Sequence, residues 1–304
     1  MMSGVAGFAM SARWRAIAVA VTGAAAALLL PPLTSPLAYL SAATVALVTL
    51  RLGAREGFAV LAAAGLTLAL LGLLAGDLAV PMSVGALVLW LPVWVLALIL
   101  RGSRSLALTL QAAAGFGAIA VLAAHLLSGG DPVGWWAPRI GAILGPLLAE
   151  QGMDAGEYVP ELARWMTALS AAALVLGVLL SLLLARAWQA GLYNPGGFGE
   201  EFRGLRLGWR FALAALAVIA LTQLPVPGLA PLASDLVPAL LVVYLLQGLA
   251  LAHAIVRRRQ AHRGWLIGLY LLLLFAAPQL VPLLALLGWL DAWIDVRARF
   301  GGGA

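Results

Sequence analysis

An all-α bundle of membrane-spanning helices is the fold this sequence predicts, and three observations predict it. The 304 residues are 64% apolar and only 10% charged, with a mean hydropathy of +1.05. Long charge-free stretches recur along the whole chain. Arginines fall at one alternating set of stretch ends, while acids gather at the other. Soluble domains carry roughly a quarter of their residues as charges, so lipid must serve as the solvent for most of this polypeptide.

Each element follows from bilayer dimensions. A hydrocarbon core of about 30 Å needs about 20 apolar residues rising about 1.5 Å each. Eight clear spans meet or approach this need, at 16–33, 37–50, 57–75, 83–100, 105–127, 166–185, 210–224 and 236–256. Their apolar residues surround the whole helix circumference, as expected where lipid and neighbouring helices are both apolar. The first follows Arg13 and Arg15 and ends at Pro31 and Pro32, which gives it the outline of a secretory signal. It lacks a clean small-x-small cleavage site and is expected to be retained.

A ninth stretch, 264–290, behaves differently. As one straight helix it would reach roughly 40 Å, and as two complete spans it is too short. Pro278 and Pro282 interrupt it, each lacking a backbone donor. A Pro-broken hairpin or re-entrant pair, returning Arg297 and Arg299 to the cytoplasm, is favoured over one kinked span.

Charge sets the expected orientation through the positive-inside bias. All 18 basic residues are Arg. With the N-terminus cytoplasmic, 14 of these 18 face the cytoplasm, from Arg13 and Arg15 through to the cluster Arg257, Arg258, Arg259 and Arg263. The other side receives Asp77, Asp235 and the segment 128–164 with its five acids. The chain divides into a six-span N-terminal bundle (1–185), a cytoplasmic joint (186–209) around the turn-rich Asn194 to Gly199, and a C-terminal membrane module (210–304) ending in an interfacial helix.

Composition also limits the chemistry. Without Lys there is no Schiff base or P-loop lysine, and without Cys there is no thiolate, disulfide or sulfur-ligated metal. HExxH and GxSxG are absent, so an enzyme is not expected, nor a cofactor or a metal site. The net charge of +6 expresses topology and is poor grounds for nucleic-acid binding. No carboxylate or Arg lies at the middle of a clear span, which argues against a proton-relay pump.

Polar residues in or near the membrane are the remaining candidates. Gln111 and His125, with Trp135 and Trp136 of the outer segment, are candidate ligand-binding residues beneath a lid at 128–164; helix–helix packing is the plainer reading of each. Ala16, Ala20 and Ala24 repeat every four residues, a ridge where a partner helix or an internal neighbour packs closely. Near the C-terminus, Trp289, Trp293, Val296 and Phe300 share one helical face, and Asp291, Asp295 and Arg299 share another. Asp291, Asp295 and Arg297 are candidate contacts to a membrane or cytoplasmic protein partner, with bilayer anchoring as the plainer role.

The segment Gln247, Gly248 and His253, the basic cluster after it, and the LLGxxDxxxDxR pattern from Leu286 to Arg297, which includes Gly288, resemble the YybS-like family of bacterial membrane proteins. That family carries a domain of unknown function. The resemblance covers about residues 240–299 and implies a bacterial cytoplasmic (inner) membrane location. It also implies a distant similarity to the substrate-binding S components of energy-coupling-factor transporters, whose first helix uses small residues to meet a coupling subunit. Two functions are therefore expected to compete: a small-molecule transporter or substrate-binding membrane component, and a non-transporting scaffold that recruits a cytoplasmic partner.

Overall fold

A computed structural model describes residues 2–29, 34–74, 79–226, 228–294 and 296–299, and among these residues every regular element is a helix. Asp77 and Asp295 lie outside the described residues. In chain order the helices are α1 (Met2–Met10), α2 (Arg13–Leu29), α3 (Thr34–Leu52), α4 (Ala54–Leu74), α5 (Ala79–Ser103), α6 (Leu106–Leu127), α7 (Pro132–Glu150), α8 (Ala155–Tyr193), α9 (Gly197–Arg203), α10 (Trp209–Leu221), α11 (Leu229–Arg258), α12 (Gly264–Phe275), α13 (Ala277–Ile294) and α14 (Val296–Arg299).

Among the described residues, six helical segments are long and apolar enough to cross a membrane: Ala54–Leu74, Ser83–Ser103, Leu106–Leu127, Ala155–Tyr193, Leu229–Arg258 and Ala277–Ile294. Pro36–Leu52, Trp209–Leu221 and Gly264–Phe275 are apolar but shorter. A helical membrane bundle is thus plain, whereas the full count of eight spans is not reached on length. The 13 residues of α10 rise only about 20 Å against a core of about 30 Å.

The chain forms two contact units that interleave in sequence. Unit 1 takes residues 1–113 and 176–205; unit 2 takes 114–175 and 206–304. These boundaries differ from the expected divisions at 185 and 209, because α6 and α8 each contribute residues to both units. The 39-residue α8 runs on to Tyr193, so the joint expected from residue 186 begins only at the Asn194 to Gly197 turn.

In unit 1, α3 is the central helix. Residues 41–50 are all buried, which an apolar helix of alternating Ala, Val and Leu permits because small side chains let neighbours approach on every side. Its polar groups are satisfied locally: Thr44 and Thr49 donate to the Leu40 and Val45 carbonyls one turn back, and Ser41 donates to the Ala20 carbonyl (2.6 Å) while accepting from Trp90 Nε1 (3.0 Å). Ala16, Ala20 and Ala24 are buried too, and α2 packs extensively along α3. The alanine ridge therefore meets helices of its own chain and is not a free partner surface, since a close-packing face is occupied once α3 lies on it.

Arginines gather at one end of unit 1. Arg13 pairs with Glu56 through two hydrogen bonds (2.9 and 2.7 Å), Arg186 with Glu201 (2.8 Å), and Arg51 stacks over Tyr193 (4.1 Å to the ring centre). Arg101 donates to the Leu50 carbonyl at the end of α3 (2.7 Å), where the last helical carbonyls lack intrahelical partners.

In unit 2, the Asp131 carboxylate caps α7 by accepting from the Gly134 N–H (2.9 Å), with Pro132 at the first helical position. α7 then packs on the start of α8 through Ile140, Val159 and Ala163, with Trp136 alongside. The C-terminal stretch breaks at Ala276, two residues before Pro278, whose missing N–H ends the ladder of α12. His253 of α11 meets Tyr270, so α12 runs back along α11; Tyr244 and Arg258 of α11 meet Gly288 and Arg297 in the same order, so α13 runs parallel to α11. α12 and α13 therefore turn back on each other. The 12 residues of α12 rise only about 18 Å, less than a full crossing.

Candidate functional site: the polar junction of α11 and α13

Close approach of two backbones builds this junction. A Cβ placed on Gly248 would fall 2.0 Å from the Leu284 carbonyl oxygen, and one on Gly288 would fall 2.4 Å from the Tyr244 carbonyl oxygen. Only glycine fits at either position, and the pair lets α11 and α13 cross in direct backbone contact.

Beside the crossing, Gln247 is fully buried. Its side-chain oxygen accepts from the Leu207 N–H (3.0 Å) and its amide nitrogen donates to the Gly288 carbonyl (2.6 Å). One side chain thus ties the approach to α10, α11 and α13 together. Trp289 adds a bond from Nε1 to the Ala212 carbonyl (3.0 Å).

One turn beyond Gly288, Asp291 faces Arg297 across 3.1 Å, with both side chains almost wholly buried. Arg258 donates to the Arg297 carbonyl (2.6 Å). Burial lowers the proton affinity of the Arg297 guanidinium, Asp291 opposes that effect, and the nearby charges of Arg206 and Arg258 add to it. Asp291 and Arg297 were expected at a partner-facing surface. They lie inside instead, paired with each other across six positions, because two opposite charges taken out of water must neutralise one another within the protein. The Arg299 side chain is outside the described residues, as is its expected neighbour Asp295.

The expected ligand-binding residues lie apart from this junction. His125 Nε2 lies 2.8 Å from Asp235 Oδ2, and both side chains are at most 15% exposed. Sequence reading singled out His125 but not Asp235, which lies 110 positions away near the start of α11. Trp136 donates to Thr167 (3.1 Å), Trp135 stacks edge-on against Trp136, and Arg139 lies 3.6 Å from the centre of the Trp135 ring. Gln111 is half-buried in α6 and belongs to unit 1.

Among the described residues, three cavities each lie within a single unit. One of about 320 Å³ in unit 1 includes Arg13, Ala16 and Glu56. One of about 300 Å³ lies among α10, α11 and α13, and one of about 450 Å³ borders His262 and Trp265. None of the three is lined by Gln111, His125, Trp135 or Trp136. Among the described residues, no three His, Asp or Glu side chains converge as a metal would require.

Comparison with protein-family models, curated proteins and solved structures finds no match to this chain.

Proposed function

We propose that the chain is a multi-pass protein of a bacterial cytoplasmic membrane, acting as a small-molecule transporter or substrate-binding component. The His125–Asp235 pair carries the reading. Ionisable groups set into apolar helices are costly and usually mark a ligand or ion path, and a passive anchor has no need of such a pair. The scaffold alternative has less support, because Ala16, Ala20, Ala24, Asp291 and Arg297 are all buried.

Sidedness belongs to the same proposal. The N-terminus is cytoplasmic and the shorter apolar helices α2, α3 and α10 complete the crossings, giving eight spans and a re-entrant α12–α13 hairpin. Support comes from the gathering of Arg13, Arg51, Arg101 and Arg186 at one end of unit 1, and of Arg206, Arg258 and Arg297 at one end of unit 2. The likeness of Gln247, Gly248, His253, Gly288, Asp291 and Arg297 to the YybS-like pattern accords with a structural hallmark at that junction.

The test is a thermal-shift screen of purified protein against vitamins and small metabolites. At least one compound should raise the midpoint of the wild type and fail to raise that of His125→Ala and Asp235→Asn. A well-folded protein that no compound stabilises, or variants stabilised equally, would overturn the proposal.

A further inference from the structure

The turn between α11 and α12 gathers positive charge at the edge of the apolar helices. Arg257, Arg258, Arg259 and Arg263 fall within seven positions, and all four are exposed. No acid stands between Asp235 and Asp291 in the sequence, and Asp291 is buried against Arg297. The stretch around the turn therefore supplies no carboxylate of its own to balance the cluster. Arg258 donates to the Arg297 carbonyl (2.6 Å), which holds the end of α11 in place. His262 Nδ1 accepts from the Gly264 N–H (3.0 Å), so the exposed ring carries its hydrogen on Nε2 and presents a further donor.

A furrow leads away from this turn. Its space of about 450 Å³ is lined by His262, Gly264, Trp265, Gly268, Leu269 and Leu272, which share one face of α12 and the turn before it. Gly264 and Gly268 stand one helical turn apart and leave that face without side chains; a Cβ on Gly268 would meet nothing within 4 Å. Trp265 and Leu272 are exposed beside them, and α12 buries none of its residues. From Gly264 to Leu272 the furrow runs about 12 Å, starting at a basic, hydrogen-bonding mouth and ending among leucines. A phospholipid with net negative charge has the same polarity along its length, a phosphate and then an acyl chain. The positive-inside bias accounts for arginines at a helix end, but it does not call for a furrow running from them.

We propose that the α11–α12 turn and the furrow along α12 bind one anionic phospholipid, with its phosphate at the basic turn and an acyl chain over Gly264 and Gly268. The site is separate from the His125–Asp235 pair and stands or falls independently of the transport reading.

The full chain, purified in detergent, is titrated calorimetrically with dioctanoyl phosphatidylglycerol, with dioctanoyl phosphatidylcholine, which shares the tails and the phosphate but has no net charge, and with inorganic phosphate. Phosphatidylglycerol should bind about tenfold more tightly than phosphatidylcholine, as one or two arginines beside an anionic headgroup provide. Arg257→Gln with Arg259→Gln and Arg263→Gln should erase that preference, whereas Arg55→Gln with Arg104→Gln, which removes exposed arginines of unit 1, should keep it. Gly268→Leu retains every charge but fills the furrow, and should weaken both lipids about fourfold, the factor for one methylene no longer buried. Equal binding of the two lipids, loss of the preference in the unit 1 control, unchanged binding by Gly268→Leu, or displacement of phosphatidylglycerol by equimolar inorganic phosphate would each overturn the proposal.

Discussion

Gln247 shows what one residue does when its surroundings supply no water. Its amide meets one backbone donor and one backbone acceptor, Leu207 and Gly288, drawn from segments about 40 residues away on either side. Truncation leaves both groups buried and unpaired, so Gln247→Ala should cost about 2–4 kcal/mol, read as a lower unfolding midpoint in detergent. The Asp291–Arg297 pair obeys a different rule. Removing one partner strands the other charge, so Asp291→Ala or Arg297→Ala alone should cost roughly 3–5 kcal/mol. The double replacement Asp291→Leu with Arg297→Met should cost less than either single change, and additive losses would argue against a coupled pair.

Among the elements, the α11–α13 crossing depends on the missing Cβ atoms of Gly248 and Gly288. The atoms in the way are backbone carbonyls, which cannot swing aside as a flexible side chain can. Gly248→Ala should therefore force the helices apart and lower the unfolding midpoint sharply. Gly115→Ala on α6 is the control: nothing lies within 4 Å of its Cβ position, and helix propensity predicts a gain of up to about 1 kcal/mol. If both substitutions behave alike, the close crossing is not what holds these helices. Legibility differed between elements for physical reasons. The apolar stretches predicted where helices would form, because lipid solvation is a property of each segment by itself. The face that each helix presents was harder to read. The Ala16, Ala20, Ala24 ridge has the spacing of a contact surface, but spacing does not say whether α3 or another protein fills it.

For the whole molecule, the arginine asymmetry yields the most direct test. The chain has no Cys, so single cysteines report sidedness without background. Both Glu150 and Arg259 are exposed. A membrane-impermeant maleimide added to intact cells should label Glu150→Cys and spare Arg259→Cys, with the reverse in inverted vesicles. The opposite pattern would overturn the orientation and, with it, the placement of His125 and Asp235 toward the outer side.

The sequence alone determined that this is an all-helical membrane protein and roughly where its helices run. Those properties are local: hydropathy, proline breaks and residue spacing act within one segment. Tertiary structure decided which polar groups meet, pairing Gln247 with Leu207 and Gly288, turning Arg297 inward onto Asp291, and bringing Asp235 to His125. In hydrocarbon each such group must find its partner within the protein, and which partner it finds depends on how distant helices pack.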